Sequence, residues 1–177
     1  EFWHGASSEH VVSRSVRDSA AMLEALQGPD LGAPVHIQAP ARPYLEEVGR
    51  DPGKLRIGYS TRSPLGLGVD ADTVKAIENC VALLRQLGHE VEEATPAIDG
   101  QELAECFLTM YMGQTAANMA EAQRLHGARE QDFELDTRAL GLLGRALSAG
   151  DYTRSLFKWN GFARSLSAFF QTYDLYL

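Results

Sequence analysis

The chain has little of several residue types on which functional sites depend. Its 177 residues include only two cysteines and three lysines. Cys80 and Cys106 are too few for a disulfide framework, and each falls among apolar neighbours in a helical pattern. We interpret both as reduced core residues of a cytoplasmic protein, with a functional thiol as the alternative.

Longer features are missing as well. No apolar run approaches the roughly 18 residues that a membrane span needs, and no cationic, apolar leader opens the chain. The formal net charge is −8, and such a surface repels phosphate backbones. We therefore expect neither a membrane nor a nucleic acid as a partner. The first residue is Glu1 rather than methionine, which we interpret as the sign of a chain cut from a longer one.

The pattern of possible metal ligands is equally sparse. No histidine pairs with another at a ligand spacing such as i, i+4, and no cysteine accompanies one at a zinc spacing. We therefore expect no metal and no organic cofactor. The five histidines are His4, His10, His36, His89 and His126.

The composition that remains is that of an ordinary globular domain, and its first 53 residues form a helix with a connector. Ser15 and Asp18 have capping-box spacing, and apolar residues then recur at helical spacing up to Gly28 and Pro29. Residues 29–53 hold five of the seven prolines, which predicts an extended connector.

Residues 54–96 are typical of a strand–helix–strand unit. LRIGYST, residues 55–61, predicts a strand, and a helix follows from near Asp70 to Gly88. HEVEEAT, residues 89–95, predicts a second strand parallel to the first. Its acidic residues are typical of an edge strand, where charge discourages pairing with another chain. The stripe of the helix is Val74, Ile77, Val81, Leu84 and Leu87.

Residues 97–177 read as helices that end in a strand. We predict helices over residues 101–125, over residues 135–147 with Gly150 as the terminator, and from near Asp151. CFLTMYM, residues 106–112, is apolar on nearly every side and predicts burial all round. The last helix carries an apolar stripe, and YDLYL begins a strand. The stripe is Leu156, Trp159, Phe162, Leu166, Phe169 and Tyr173.

Few residues are candidates for chemistry. Ser7 and Ser8 stand without a base to take a hydroxyl proton, so we interpret them as loop residues rather than nucleophiles. Met110, Gly113 and Gln114 lie within one turn of the apolar helix and are candidates for lining a substrate cavity. A plain helix–helix contact at Gly113 is the alternative.

Several segments resemble the amidase signature family, which hydrolyses carbon–nitrogen amide bonds with a Ser–Ser–Lys triad. EFWHG followed by EHVVSRSVRD is similar to the stretch after the catalytic loop of those enzymes. LRIGYS and LRQLGHEVEEATP resemble the family's next strand–helix–strand, and YDLYL resembles the start of a late strand. The resemblance spans essentially the whole chain and is best to the branch that contains bacterial 6-aminohexanoate cyclic-dimer hydrolases.

The resemblance implies an α/β fold, a mixed and mostly parallel sheet flanked by helices, of which residues 1–177 form one partial domain with a helix-rich second half. In the family the lysine precedes both serines, whereas the lysines here follow Ser7 and Ser8. No catalytic residue is therefore expected in this chain, and the nucleophile is expected upstream of Glu1. The implied substrate is a small-molecule amide, and self-association is expected where missing neighbours leave apolar faces. The alternative is a non-catalytic binding or assembly domain with an amidase-like scaffold.

Overall fold

The computed structural model describes residues 5–33 and 37–177. The start of the EFWHG motif, with His4, and the connector residue His36 lie outside the described residues. The chain divides into two compact units, residues 1–53 and residues 54–177.

The first unit holds two helices, α1 (Val16–Leu26) and α2 (Tyr44–Glu47). The N-cap of α1 is the predicted one, because Ser15 Oγ accepts a hydrogen bond of 3.1 Å from the Asp18 backbone N–H. The one-turn helix α2 was not expected in an extended connector. Pro43 precedes it with φ −54°, a value already suited to helix initiation.

The second unit begins with a parallel sheet. Strand β1 (Arg56–Tyr59), helix α3 (Ala71–Gln86) and strand β2 (Glu90–Glu93) form the predicted strand–helix–strand unit. Strand β3 (Leu175–Tyr176) pairs with the other side of β1, so the described strands run in the order β2–β1–β3, all parallel. The glutamate-rich β2 is an edge strand of this sheet, as predicted.

The core of the sheet follows from one apolar face. Ile57 of β1, Val91 of β2 and Val81 of α3 are buried together. Ile77 and Leu84 of the predicted α3 stripe pack against this cluster, whereas Leu87 at the end of the stripe is exposed. The helix therefore covers the sheet with the face that its periodicity predicts.

Three helices make up most of the remaining chain: α4 (Gly100–His126), α5 (Leu135–Ala146) and α6 (Ala149–Phe169), with a 3-10 turn at Glu130–Asp132. Both α5 and α6 pack against α4. Within residues 5–33 and 37–177, no helix is long and apolar enough to cross a membrane.

Glycines make the close helix packing possible. A Cβ added at Gly144 of α5 would lie 1.9 Å from the Met112 carbonyl oxygen of α4. A Cβ at Gly113 of α4 would lie 2.8 Å from the Tyr152 ring of α6. Since backbone atoms of α4 leave no room beside Gly144, α5 can approach α4 this closely only with glycine there.

Two predictions about the helices are wrong. The helix predicted over residues 135–147 spans Leu135–Ala146, but Gly150 is not its terminator, because Ser148 and Asp151 form a capping box that starts α6 and places Gly150 in the first turn of α6. Residues 106–112 are also not buried all round. Phe107 and Leu108 are 36% and 49% exposed, since α4 is covered by α5 and α6 on one side only.

The end of α6 joins the helices to the sheet. The Phe169 ring lies directly on Gly58 of β1, where an added Cβ would come within 2.6 Å of the ring. Tyr173, which the predicted stripe placed in the helix, lies beyond its end and stacks on Phe169 with ring centroids 4.5 Å apart. Its hydroxyl donates a 2.7 Å hydrogen bond to a Glu92 carboxylate oxygen, which raises the pKa of the phenol.

We expect Phe169→Ala to lower the free energy of unfolding by about 3 kcal/mol, because it removes a buried ring and leaves a cavity on Gly58. The comparison variant is Phe170→Ala, whose ring is 45% exposed and packs edge-on against Phe169 with ring centroids 5.5 Å apart, so its effect should be smaller, about 1 kcal/mol. Urea unfolding followed by circular dichroism measures both. Equal losses would show that Phe169 does not carry the contact between helix and sheet.

We expect Gly144→Ala to lower the free energy of unfolding by about 1–3 kcal/mol, since the added methyl group meets the α4 backbone. Gly161→Ala is the control. Gly161 lies in α6, and its added Cβ would meet no atom of the described neighbours within 4 Å. Because alanine favours helix over glycine, this control should gain about 0.5–1 kcal/mol. A gain at both positions would contradict the close contact of α4 with α5.

Candidate functional site

A groove opens at the carboxyl ends of the parallel strands. It encloses about 420 Å³ and lies between the segments that follow β1 and β2, the start of α4 and the end of α6. Open α/β sheets bind ligands at this edge, because the loops that leave the strands diverge there. Its apolar wall is formed by Pro64, Pro96, Ile98, Leu103, Leu166 and Tyr176.

The mouth of this strand-end groove is polar. Arg62 and Glu93 form an ion pair with 3.0 Å between Nη2 and Oε1, and their side chains are 81% and 51% exposed. The Arg62 backbone N–H donates a 3.0 Å hydrogen bond to Ser60 Oγ, which fixes the turn after β1. A second cavity of about 320 Å³ is lined by both members of the ion pair and shares Ser60, Arg62 and Thr95 with the groove.

The start of α4 fixes one side of the groove. Asp99 caps this helix by accepting a 2.9 Å hydrogen bond from the Glu102 backbone N–H. Gly100 follows, and a Cβ there would lie 2.1 Å from the Pro64 carbonyl oxygen. The chain after β1 therefore packs directly on the first turn of α4, so two walls of the groove are held together by backbone contact.

The candidate lining residues of α4 lie elsewhere in this unit. Met110 is buried at 2% exposure. Gly113 and Gln114 line an open groove of about 460 Å³ between α4 and the start of α6, and the Gln114 side chain donates a 2.9 Å hydrogen bond to Asn118 Oδ1. The contact of Gly113 with Tyr152 shows that the helix–helix alternative also holds at this position. We call this the α4–α6 groove.

The remaining candidates are the two serines and the histidines. Ser7 and Ser8 are exposed in a segment without regular secondary structure. The His10 ring hydrogen-bonds Ser19 Oγ at 3.1 Å, and His89 Nδ1 accepts from the Leu55 backbone N–H at 3.3 Å. Across the described part of the chain, no three histidine, cysteine or acidic side chains gather as metal ligands would.

The two cysteines are both free thiols, and Cys106 is the more protected. It is 3% exposed, and its thiol donates a 3.0 Å hydrogen bond to the Ser155 carbonyl oxygen of α6. Burial raises the pKa of the Cys106 thiol, with Lys158 acting weakly in the opposite direction. Because the thiolate is the nucleophilic form, this site is built for packing of α4 on α6 rather than for thiol chemistry.

Sequence reasoning missed the strand-end groove, although a signal for it was present. Arg62 follows β1, and Glu93 and Thr95 end or follow β2. In a predicted parallel strand–helix–strand unit, residues that follow the two strands meet at one edge of the sheet. The contributions of Leu166 and Tyr176 had no such signal, because they come from the opposite end of the chain.

Comparison with known proteins finds one matching family and several similar enzymes. Residues 3–177 match the profile of the amidase family. The chain is similar to a 6-aminohexanoate-cyclic-dimer hydrolase of Pseudomonas sp. strain NK87, at 32% identity over 82% of the chain and 31% of the relative. The enzyme of the same name from Paenarthrobacter ureafaciens is 34% identical over 77% of the chain and 26% of its own length.

The fold comparison agrees with the sequence comparison. A solved structure of 6-aminohexanoate cyclic dimer hydrolase superposes with a TM-score of 0.84 at 24% identity, over 91% of the chain and 34% of that structure. A bacterial aryl acylamidase of the amidase signature family superposes with a TM-score of 0.77 over 92% of the chain. The α/β fold is thus the one that the sequence implied, and the chain spans about a third of the length of these relatives.

We expect the Cys106 thiol to react with Ellman's reagent much more slowly than an unfolded cysteine, because it is buried and its pKa is raised. The measurement uses Cys80→Ala, which leaves Cys106 as the single thiol, and compares rates with and without urea. Cys106→Ala is the control that reports the partly exposed Cys80 alone. Equal native rates for the two variants would contradict the burial of Cys106.

Proposed function

The chain belongs to the amidase family, and on that premise we propose that it is the middle-to-late portion of an enzyme that hydrolyses carbon–nitrogen amide bonds. The observation that carries the proposal is the match of residues 3–177 to the amidase family, which a shared fold over 91% of the chain supports. The named relatives act on a cyclic dimer of 6-aminohexanoate or on aryl acylamides. A small-molecule amide is accordingly the substrate class that we propose.

The proposed chemistry proceeds through a serine acyl-enzyme. A lysine-activated serine attacks the amide carbonyl, the amine leaves, and water hydrolyses the ester that remains. Backbone N–H groups of a glycine- and serine-rich loop would stabilise the oxyanion in such a mechanism. We place this serine and its lysine outside residues 1–177, because no lysine precedes Ser7 and Ser8 and no Gly-Gly-Ser run surrounds them. The reaction so written uses no metal and no organic cofactor.

We assign a supporting role to residues 1–177. They supply part of the parallel sheet and the helical flank of α4, α5 and α6. Gly113 and Gln114 would form one wall of the acyl pocket, with Met110 packed behind them and holding that turn of α4 in place. Support for this assignment is the α4–α6 groove, which Gly113 and Gln114 already line.

Self-association is the second part of the proposal. Leu142 and Leu135 of α5 are 62% and 72% exposed, and Phe157 of α6 is 70% exposed. Apolar side chains exposed in this way are covered by neighbouring protein in many complexes. In the 177-residue chain by itself, a second copy would be the available cover.

We expect the 177-residue chain to be inactive on amides and to resist labelling by a fluorophosphonate, because the proposed nucleophile lies outside it. Intact-mass measurement after incubation checks the labelling, with an active serine amidase as the positive control. Mass increase that maps to Ser7 or Ser8 would contradict the placement of the nucleophile.

A longer protein that contains this chain provides the positive test. We expect the probe to abolish its amide hydrolysis and to modify one serine outside residues 1–177, located by peptide mass spectrometry. A longer protein that neither hydrolyses amides nor takes up the probe would overturn the amidase proposal and favour a binding or assembly domain.

A further inference from the structure

The strand-end groove joins an apolar interior to a mouth that can both donate and accept hydrogen bonds. Its volume of about 420 Å³ lies within the range of small-molecule sites. Pro96, Ile98 and Leu103 provide apolar walls. The Arg62–Glu93 ion pair stands where the groove adjoins the second, smaller cavity. An occupant that matches both parts has an apolar chain and one polar group at its end.

The ion pair selects the kind of polar group. A guanidinium carries five N–H donors, and a carboxylate can accept about four hydrogen bonds, so one ion-pair contact leaves capacity on each side. A carboxylate ligand would approach Arg62 but meet the negative charge of Glu93. An ammonium ligand would approach Glu93 but meet the positive charge of Arg62. An uncharged amide meets neither conflict, since its oxygen accepts from Arg62 and its N–H donates to Glu93.

We propose that the strand-end groove is a binding site for small amides with an apolar chain, the chain lying between Ile98 and Leu103 and the amide group lying at the Arg62–Glu93 pair. The inference deepens the proposed amidase function and rests on it for its biological meaning. It concerns a different place from the α4–α6 groove. The site would bind an amide apart from the acyl pocket proposed at the α4–α6 groove, and the chemistry would be performed by residues outside this chain.

The walls of the groove are formed before a ligand arrives. Backbone contact between Pro64 and Gly100 holds the segment after β1 on α4, and the Asp99 cap fixes the first turn of that helix. On the other side Tyr176 packs edge-on against the buried Phe169, with ring centroids 5.4 Å apart. A preformed apolar site loses little conformational freedom when it binds a chain, which favours binding of even a small molecule.

Titration of the 177-residue chain with hexanamide tests the proposal. Backbone amide resonances followed by NMR should shift at residues 60–63 and at Thr95, Ala97 and Ile98, and the shifts should saturate. Hexanoate and hexylamine have the same chain with a charged end, and we expect each to bind about threefold to fivefold more weakly, the range set by an exposed like-charge contact. Shifts without saturation would overturn the proposal, and so would hexanoate binding more tightly than hexanamide.

Two variants should remove the preference for hexanamide if the ion pair sets it. Glu93→Gln should improve hexanoate binding relative to hexanamide by about threefold to fivefold, because the repelling charge is gone. Arg62→Gln should do the same for hexylamine. The control is Arg145→Gln on α5, which breaks an exposed ion pair with Glu130 of the 3-10 turn and should leave all three affinities unchanged. Unchanged selectivity in both groove variants would contradict the assigned role of the pair.

Blocking the groove provides an independent check. Ile98→Trp should abolish hexanamide binding by filling the apolar part, while Ala117→Trp, which narrows the α4–α6 groove, should not. If Ile98→Trp does not fold, the titrations of Glu93→Gln and Arg62→Gln still test the site. Shifts confined to residues 113–117 would overturn this site but support the acyl pocket proposed on α4. Fluorophosphonate labelling of Ser7 or Ser8, by contrast, would overturn the proposed enzyme mechanism without affecting hexanamide binding.

Discussion

The second unit depends on the contact of one phenylalanine with one glycine. Phe169, at the last position of α6, rests on Gly58 at the centre of β1. The ring is also packed by Tyr173 and Tyr176, so the end of α6, the turn after it and β3 form one aromatic group against the sheet. Any side chain at residue 58 would displace the ring, because an added Cβ would come within 2.6 Å of it. The chain can therefore pass from α6 into β3 in this way only because residue 58 has no side chain.

The strand-end groove is a consequence of this packing. Once Phe169 fixes α6 on the sheet, Leu166 one turn earlier and Tyr176 in β3 are carried to the edge where β1 and β2 end. The segments after those two strands bring Arg62 and Glu93 to the same edge. An apolar interior with a paired cation and anion at its mouth thus arises from four separate parts of the chain. Parallel strands make this convergence possible because all their carboxyl ends lie on one side.

Helices α4 and α5 pack closely on each other but expose apolar side chains on their outer faces. Glycines on α4 and α5 permit backbone approach closer than any side chain would allow, so those two helices are firmly joined. The outer faces of the same helices nevertheless expose Phe107, Leu108 and Leu142. Apolar exposure of this kind, in a chain that spans about a third of the length of its relatives, agrees with a flank that packs against further protein in the enzyme that we propose.

The sequence by itself determined the local structure and the family. Helix periodicity predicted the α3 stripe, and the Ser15 cap predicted the start of α1. The residue content between turns predicted the two parallel strands β1 and β2 and a third strand at the end of the chain, whereas the parallel pairing of β3 with β1 was seen only in the structure. The resemblance to amidases was carried by contiguous segments, which a sequence displays directly. Errors arose where two local signals compete: Gly150 resembled a helix end, but the capping box of Ser148 and Asp151 prevailed.

Only the tertiary structure decided which faces are buried and which residues form a site. Phe107 and Phe169 are equally apolar, yet one is partly exposed and the other is buried, because burial depends on which neighbours the fold supplies. Arg62 and Glu93 are 31 residues apart and meet Leu166 only when α6 docks on the sheet. Periodicity reports how a segment is arranged around its own axis, whereas a site requires segments distant in sequence to meet, and that is decided by packing.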